Sequence, residues 1–335
     1  MGAALAAGSG GERPEPSSST SATPIERAQP STSATRVERA QPTTRSDTVG
    51  RRGFLYQVTR SKAASAGKLF LYGTVHVGKV GLEPFNPVVL RALGESRRIA
   101  LEADPTDRAG IERLVALLGR YPAGDGLDRH VPPALLDRVR SFGKRSGLPP
   151  DRIGQFRPWL LATTVSLASL GSVGLDPTLG SEVSLSGYAH GARLPVVEIE
   201  GIEAQLRMLA SLPEALQTAQ LDEALADADS SEARAEGLAL YDLWLHGDAA
   251  AGEQIVAELH REAQSRVYER YFVDTLLDGR NRTMADQAEQ WMRDAGTTFF
   301  AVGTLHLFGE AGLIHELERR GYDVIDLQNG AAGLH

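Results

Sequence analysis

The chain has 335 residues, 42% hydrophobic and 23% charged, with a net charge of -8; these are the proportions of a soluble globular protein with one large domain or two small ones. An acidic chain is a poor match for nucleic acid, whose affinity rests on Lys and Arg against phosphate, so no nucleic-acid partner is expected. The absence of cysteine removes disulfides, thiolate metal ligands and a cysteine nucleophile together, and leaves the compartment open.

The first residues, MGAALAAGSGG, are too short and uncharged for a complete signal peptide, yet they resemble the tail of one. Two readings stand at this point. In one, the true start lies upstream, the compartment is the periplasm or cell envelope, and a missing export or anchor segment is the one route to a membrane. In the other, the start is merely Ala/Gly-rich and the protein is cytoplasmic.

Residues 1–50 lack an apolar period and are rich in Ser, Thr, Pro and Ala. Five Arg there balance five acids, so the acidic excess lies on the remainder. They hold a 12-residue repeat, SATPIERAQPST from Ser21 and SATRVERAQPTT from Ser33. Two polar copies cannot bury a core, and residues 1–50 are expected to be a disordered tether.

From Phe54 the pattern changes. GFLYQVTR and KLFLYGTVH read as adjacent strands joined by the polar turn SKAASAG. VVLRALGES is helical, and RRIALEAD is a strand ending in acids. Helical sequence follows from about residue 107 to 170, broken at VPP and LPP. The uncharged run Trp159 to Leu175 falls just short of a spanning length and reads as a buried helix. RLPVVEIEG is another strand ending in acids, and helices then run from Ile202 to about Gln290. TTFFAVGTLH is a strand, EAGLIHELERRG a helix closed by glycine, and YDVIDLQ a final strand. The expected fold of residues 51–335 is α/β, with a mixed, partly parallel sheet and a helical cap inserted within about 107–290.

The pattern strand, Gly-Thr-x-His, helix, strand, acid occurs twice. His76 precedes Glu102 by 26 residues and His306 precedes Asp326 by 20. The expectation is a duplicated unit of two related halves whose histidines meet at one site, since ligands of open α/β sheets bind at the carboxyl ends of strands. Gly73 and Gly303 would let a cofactor or a neighbouring chain approach closely, and the Thr between Gly and His could cap a helix or orient the imidazole. Two neutral imidazoles and a carboxylate are a common ligand set for Zn, Mn, Fe or Co, so His76, His306 and Glu102 are the candidate metal ligands. The other six histidines sit in loops or on polar helix faces and read as solvated. Glu200, just before Gly201, could face the crevice, or could be a helix N-terminal acid helped by the dipole. Arg280 and Asn281 of LLDGRNRTMA carry the donors that suit a substrate carbonyl or oxyanion, or they begin a solvated helix.

The two Gly-x-x-His turns, LEAD, the RPW segment at Arg157 to Trp159, LPVVEIEG with EAQL one residue on, GRNRTMA and AVGTLHLFGEAGLIHELERRGYDV together resemble the TraB/GumN family, over roughly residues 52–330. That family is related to the Tiki extracellular proteases and, more distantly, to the ChaN and erythromycin-esterase-like fold. The resemblance implies a two-part α/β fold with both histidine motifs and an acid at one site. Tiki-like members are described as metal-dependent proteases of the Mn/Co type. Carried over, His76, His306 and Glu102 would be metal ligands or catalytic groups, and Arg280 and Asn281 would match the family's Arg-Asn pair. Gly180-Ser181-Glu182 stands where the family more usually has Gly-x-Asp, which leaves Glu182 without an assigned role.

The leading expectation is a metal-dependent hydrolase of peptide bonds, using Mn, Co or Zn. His76, His306 and Glu102 would hold the ion, Glu200 would be the general base, and Arg280 and Asn281 would steady the oxyanion. The substrate would be a peptide or protein. A rival from another class is a non-catalytic protein that captures a peptide, metal or haem with the same histidines. The TraB name comes from proteins linked to shutting down peptide pheromone, which fits capture or cleavage. A third reading is a metal-free hydrolase with the histidines as acid and base.

Overall fold

The computed structural model describes residues 53–60, 67–80, 85–264, 267–294 and 296–328. The tether with its repeat, the turn at 61–66 and His335 lie outside these residues.

Six strands form one sheet: β1 Phe54–Thr59, β2 Lys68–Thr74, β3 Arg98–Leu101, β4 Val196–Glu198, β5 Thr297–Gly303 and β6 Asp323–Asp326. Their order is β4-β3-β5-β2-β1-β6. β1 is antiparallel to both its neighbours, and the other three pairings are parallel. The sheet is therefore mixed and mostly parallel, as the alternation of strands and helices predicts. β2 and β5 lie at its centre, and their apolar runs are buried along most of their length. Strands covered on both faces need such continuous hydrophobic sequence. Leu69, Leu71, Phe299 and Phe300 are fully buried there, in one core with Tyr72, Leu93, Ile99 and Trp244.

The helices start and stop where their sequence says they should. In α1, Pro87–Glu95, the Asn86 side chain accepts from the Val88 and Val89 amides and Pro87 occupies the first turn. Asp107 caps α2, Arg108–Gly119. α3, Pro133–Arg145, and α4, Pro158–Ser172, each open on proline. α5 is Ser181–Ala192, α6 Ile202–Ala210 and α7 Glu214–Asp229. Ser230 caps α8, Ser231–His246, which ends on Gly247 at φ 69°. Asp248 caps α9, Ala249–Glu262. α10 is Gly279–Arg293 and α11 Leu313–Arg319.

Helices α2 to α10 lie in the chain between β3 and β5, with β4 among them, and carry hydrophobic clusters of their own. One joins Val139 and Phe142 to Leu161, Val165 and Leu221; another joins Ile111 to Trp159 and Leu206. Trp159 to Ala162 and Val165 of α4 are buried, which makes the uncharged run a core helix. Among the described residues, no helix is long and apolar enough to cross a membrane.

The two halves repeat in chain order and differ in sheet position. β3, the strand after the first Gly-Thr-x-His, lies beside β5 at the centre. β6, the strand after the second, lies at the edge beyond β1. Its acid, Asp326, stands opposite Tyr56 and accepts from the Gln328 amide. Only the first half's acid is delivered to the centre of the sheet.

Candidate active site

The register of β2 on β5 sets up the site. Thr74 stands opposite Gly303, so the two Gly-Thr-x-His turns leave the same edge of the sheet side by side. β3, on the other flank of β5, presents Glu102 immediately after its last residue. His76, Glu102, Arg280 and His306 all line one cavity of about 330 Å3. It lies at the carboxyl ends of the central parallel strands, where ligands of open α/β sheets bind.

His306 is buried, and its Nδ1 lies 2.6 Å from Asn281 Oδ1. The Asn281 amide nitrogen donates to the Ala311 carbonyl at 2.9 Å, which fixes the side chain's orientation. Oδ1 can then only accept, so His306 Nδ1 carries the proton and Nε2 keeps its lone pair. Nε2 stands 3.8 Å from Glu102 Oε1, an acceptor facing an acceptor across a distance that a cation or a proton carrier would bridge. Burial, with the Arg280 and His76 charges, pushes the imidazole down to about 4 against the pull of Glu102, so His306 is neutral at ordinary pH.

Glu102 is tied on both oxygens. Oε1 accepts from the Gly303 amide at 2.6 Å. Oε2 accepts from Arg280 Nη2 and from Gln205 Nε2 at 2.9 Å. Burial alone would raise its pKa, but the Arg280, His306 and His76 charges and the Gly303 N–H outweigh it and hold the carboxyl well below the usual range. Arg280 is shared: its Nε lies 2.9 Å from Glu200 Oε1 and its Nη2 2.6 Å from Glu200 Oε2. One guanidinium thus binds two buried carboxylates, and Gln205 Nε2 bridges the same pair with a 3.0 Å bond to Glu200.

His76 is half-buried, and its ring is held by Nδ1 at 2.7 Å from Glu182 Oε1. The same oxygen accepts from Thr74 Oγ1 at 2.7 Å. Burial opposes ionisation of Glu182, but His76 and the Thr74 bond bring its carboxyl down to about 2. The start of α5 is stapled beneath the turn: the Ser181 amide donates to Val75 O at 2.9 Å, and the Val75 amide donates to Ser181 Oγ at 2.8 Å. A Cβ on Gly180 would stand 2.8 Å from His76 O, which is why the chain can pass so closely here. The residue without a role in the sequence is therefore the one that orients the first histidine. Its signal was the Gly-Ser-Glu stretch itself.

Asn281 and Glu200 are engaged elsewhere than the sequence reading placed them, and the two glycines serve the second of the uses read for them. Asn281 is fully buried and holds His306, so it is a positioning residue and does not meet an oxyanion. Glu200 is committed to Arg280 and does not line the cavity, so its position does not suit a general base. Gly73 and Gly303 make room for neighbouring chain. A Cβ on Gly73 would lie 2.8 Å from Leu307 Cδ1, and one on Gly303 would lie 3.3 Å from Glu102 Oε1; neither glycine has positive φ. The two threonines link the turns, with Thr304 Oγ1 donating to Thr74 O at 2.8 Å. Gln205 lies in the EAQL stretch of the family resemblance, but no role is read for it there, because an amide on an amphipathic helix does not declare its partner.

Arg280 and Asn281 owe their placement to a π-helical turn, Phe272–Asp278, which precedes α10. Gly279 N bonds back to Asp274 O, and a Cβ on Gly279 would come within 2.8 Å of that oxygen. π-turns inside helices are rare and frequent at functional sites. This one sets Phe272, Leu276 and Arg280 along the cavity.

Acid should unfold the protein through these groups. His306, neutral in the fold, binds a proton more readily when unfolded, so its contribution is present above its ordinary value of 6.5 and is lost as pH falls toward 4. Glu182 contributes above 4.5 and loses its contribution as pH falls toward 2; Glu102 acts in the same sense over a lower range. The melting temperature is expected to fall steadily below pH 6.5, and His306→Gln to flatten the upper part of that curve. Identical profiles for wild type and variant between pH 6.5 and 4 would contradict this.

Among the described residues, no three His, Asp or Glu side chains are already gathered as a set that could hold a metal ion. What the donor chemistry provides is narrower: a buried imidazole nitrogen with a fixed lone pair facing an ionised carboxylate, beside a second oriented imidazole. Each histidine has its Nδ1 held by an oxygen, as metal-binding histidines have, and so do histidines that carry protons.

A family profile described as TraB/PrgY/gumN family matches residues 54–325. The uncharacterised protein YbaP of Escherichia coli (strain K12) is 24% identical over 253 residues, which cover 72% of this chain and 85% of that protein. YbaP of Shigella flexneri matches with the same identity and coverage. No solved structure matches.

Proposed function

We propose a hydrolytic function for this chain, which belongs to the TraB/PrgY/gumN family: cleavage of amide bonds, those of peptides foremost, in the cavity at the carboxyl ends of β2, β3 and β5. The observation that carries the reading is that both Gly-Thr-x-His histidines and Glu102 line one cavity, with His306 Nε2 3.8 Å from Glu102 Oε1 and its Nδ1 held by Asn281.

The chain's own residues have distinct tasks. Asn281 keeps His306 in the tautomer that can accept a proton at Nε2. Arg280 and the Gly303 amide keep Glu102 ionised and in place, and Glu200 steadies Arg280 from behind. Thr74 and Glu182 fix the His76 ring. Glu102 is the one carboxylate among the described lining residues, so the general-base task assigned to Glu200 on sequence passes to the His306–Glu102 pair. His306, Glu102 and His76 carry donors of the type that Mn, Co or Zn accepts, but among the described residues they are not gathered as a set; an ion held by them would acidify a water and polarise the scissile carbonyl.

Incubating the purified protein with a peptide library, with and without Mn, Co or Zn, tests the reading. Products that depend on the ion and vanish with chelator support the metal-dependent hydrolase. Products that survive chelator leave the hydrolase and remove the ion. Saturable binding without products overturns hydrolysis in favour of capture.

A further inference from the structure

Part of the cavity lining is an apolar wall that none of this chemistry uses. Met208 of α6, Leu240 of α8, Phe272 and Leu276 of the π-turn and Leu305 of the His306 turn all line it. Each is left half-buried by the fold. Five apolar side chains from four elements thus keep part of their surface uncovered at one place, where covering it would be favourable. Thr163 and Gln220, which line the cavity as well, are uncharged. The charged or ionisable groups of the lining, His76, Glu102, Arg280 and His306, are each already held by a partner within the fold. The enclosed volume of about 330 Å3 is at the small end for ligand pockets, which suits one large side chain with its flanking backbone. Leu305 directly precedes His306, so whatever fills the wall lies next to the proposed chemistry.

We propose that this wall is a side-chain subsite that admits an aliphatic or aromatic residue of a peptide and rejects Asp, Glu, Lys and Arg at that position. The inference rests on the hydrolase reading only in taking a peptide as the ligand. Exclusion follows from desolvation: an ion entering among these side chains would give up water, and the charges nearest to it are already committed to partners of their own.

The test is equilibrium binding of acetyl-Ala-Ala-X-Ala-Ala-amide peptides, with X as Leu, Phe, Asp or Lys, to the full chain and to its His306→Ala variant. The Leu and Phe peptides are expected to bind about tenfold or more tightly than the Asp and Lys peptides. Leu240→Asp should weaken the Leu peptide about tenfold and favour Lys. Met208→Lys, at a second half-buried position, should favour Asp if Leu240→Asp does not fold. Equal binding of all four peptides, no binding of any, or unchanged preference in both folded variants overturns the subsite. Selective binding without cleavage would sink the hydrolase and leave the subsite standing. Cleavage indifferent to X would do the reverse.

Discussion

Arg280→Ala is expected to cost about 3–5 kcal/mol of folding stability, the largest loss of any single substitution at the cavity. Glu102 and Glu200 keep only 11% and 12% of their side-chain surface exposed, and both take their countercharge from this one guanidinium. Removing it leaves two carboxylates buried side by side, repelling each other and cut off from water. They would protonate or drag the loop open, and either response disorders the carboxyl end of β3. Arg280→Lys is expected to recover only part of the loss, because an ammonium cannot reproduce the fork that serves Glu102, Glu200 and Leu276 O together. The triple change Arg280→Met, Glu102→Gln, Glu200→Gln should regain most of the stability while remaining inactive, since it removes the charges together. Urea denaturation of the four proteins measures this. A loss below about 1 kcal/mol for Arg280→Ala would mean that the pair is solvated and the ion-pair account is mistaken.

His306→Ala is expected to lower turnover by about 10²–10⁴-fold with the fold intact, because it deletes the only buried imidazole of the site and the acceptor that faces Glu102. Asn281→Leu is the more discriminating companion. It keeps a similar volume and leaves His306 in place, but removes the oxygen that selects the tautomer. A fall of about 10–100-fold is expected. If the two imidazoles and Glu102 hold an ion, metal content measured by mass spectrometry should fall with His306→Ala. Turnover unaffected by Asn281→Leu would end the tautomer argument, and turnover unaffected by His306→Ala would end the assignment of the site.

The ion pair and the tautomer have a common architectural source. Both are assembled where parallel strands end, and both recruit their partners from helices inserted between β3 and β5. His76, Glu102 and His306 follow the ends of sheet strands, and the inserted helices supply what holds them: Glu182 from α5, Gln205 from α6, Arg280 and Asn281 from α10. Trp244 of α8 adds a further tie, its Nε1 donating to Gly73 O at 2.8 Å at the end of β2. A substitution in the helices can therefore displace the histidines and Glu102 without replacing any of them.

Local sequence was enough to determine the strands, the capped helices, both strand-end histidines and Glu102 as the acid that follows the next strand. Each of these is written in a few adjacent residues, through period, cap or turn chemistry. The choice among partners was decided only by the tertiary structure. That His76 meets Glu182, that His306 meets Asn281, that Glu200 faces Arg280 and that Asp326 goes to the far edge all depend on the order of strands in the sheet and on how helices pack over it. Residues separated by 25 to 230 positions meet there because β2 and β5 pair in one register, Thr74 opposite Gly303. Burial of the apolar side chains of both strands selects that register, and what they bury against comes from distant parts of the chain, so no short stretch can encode it alone.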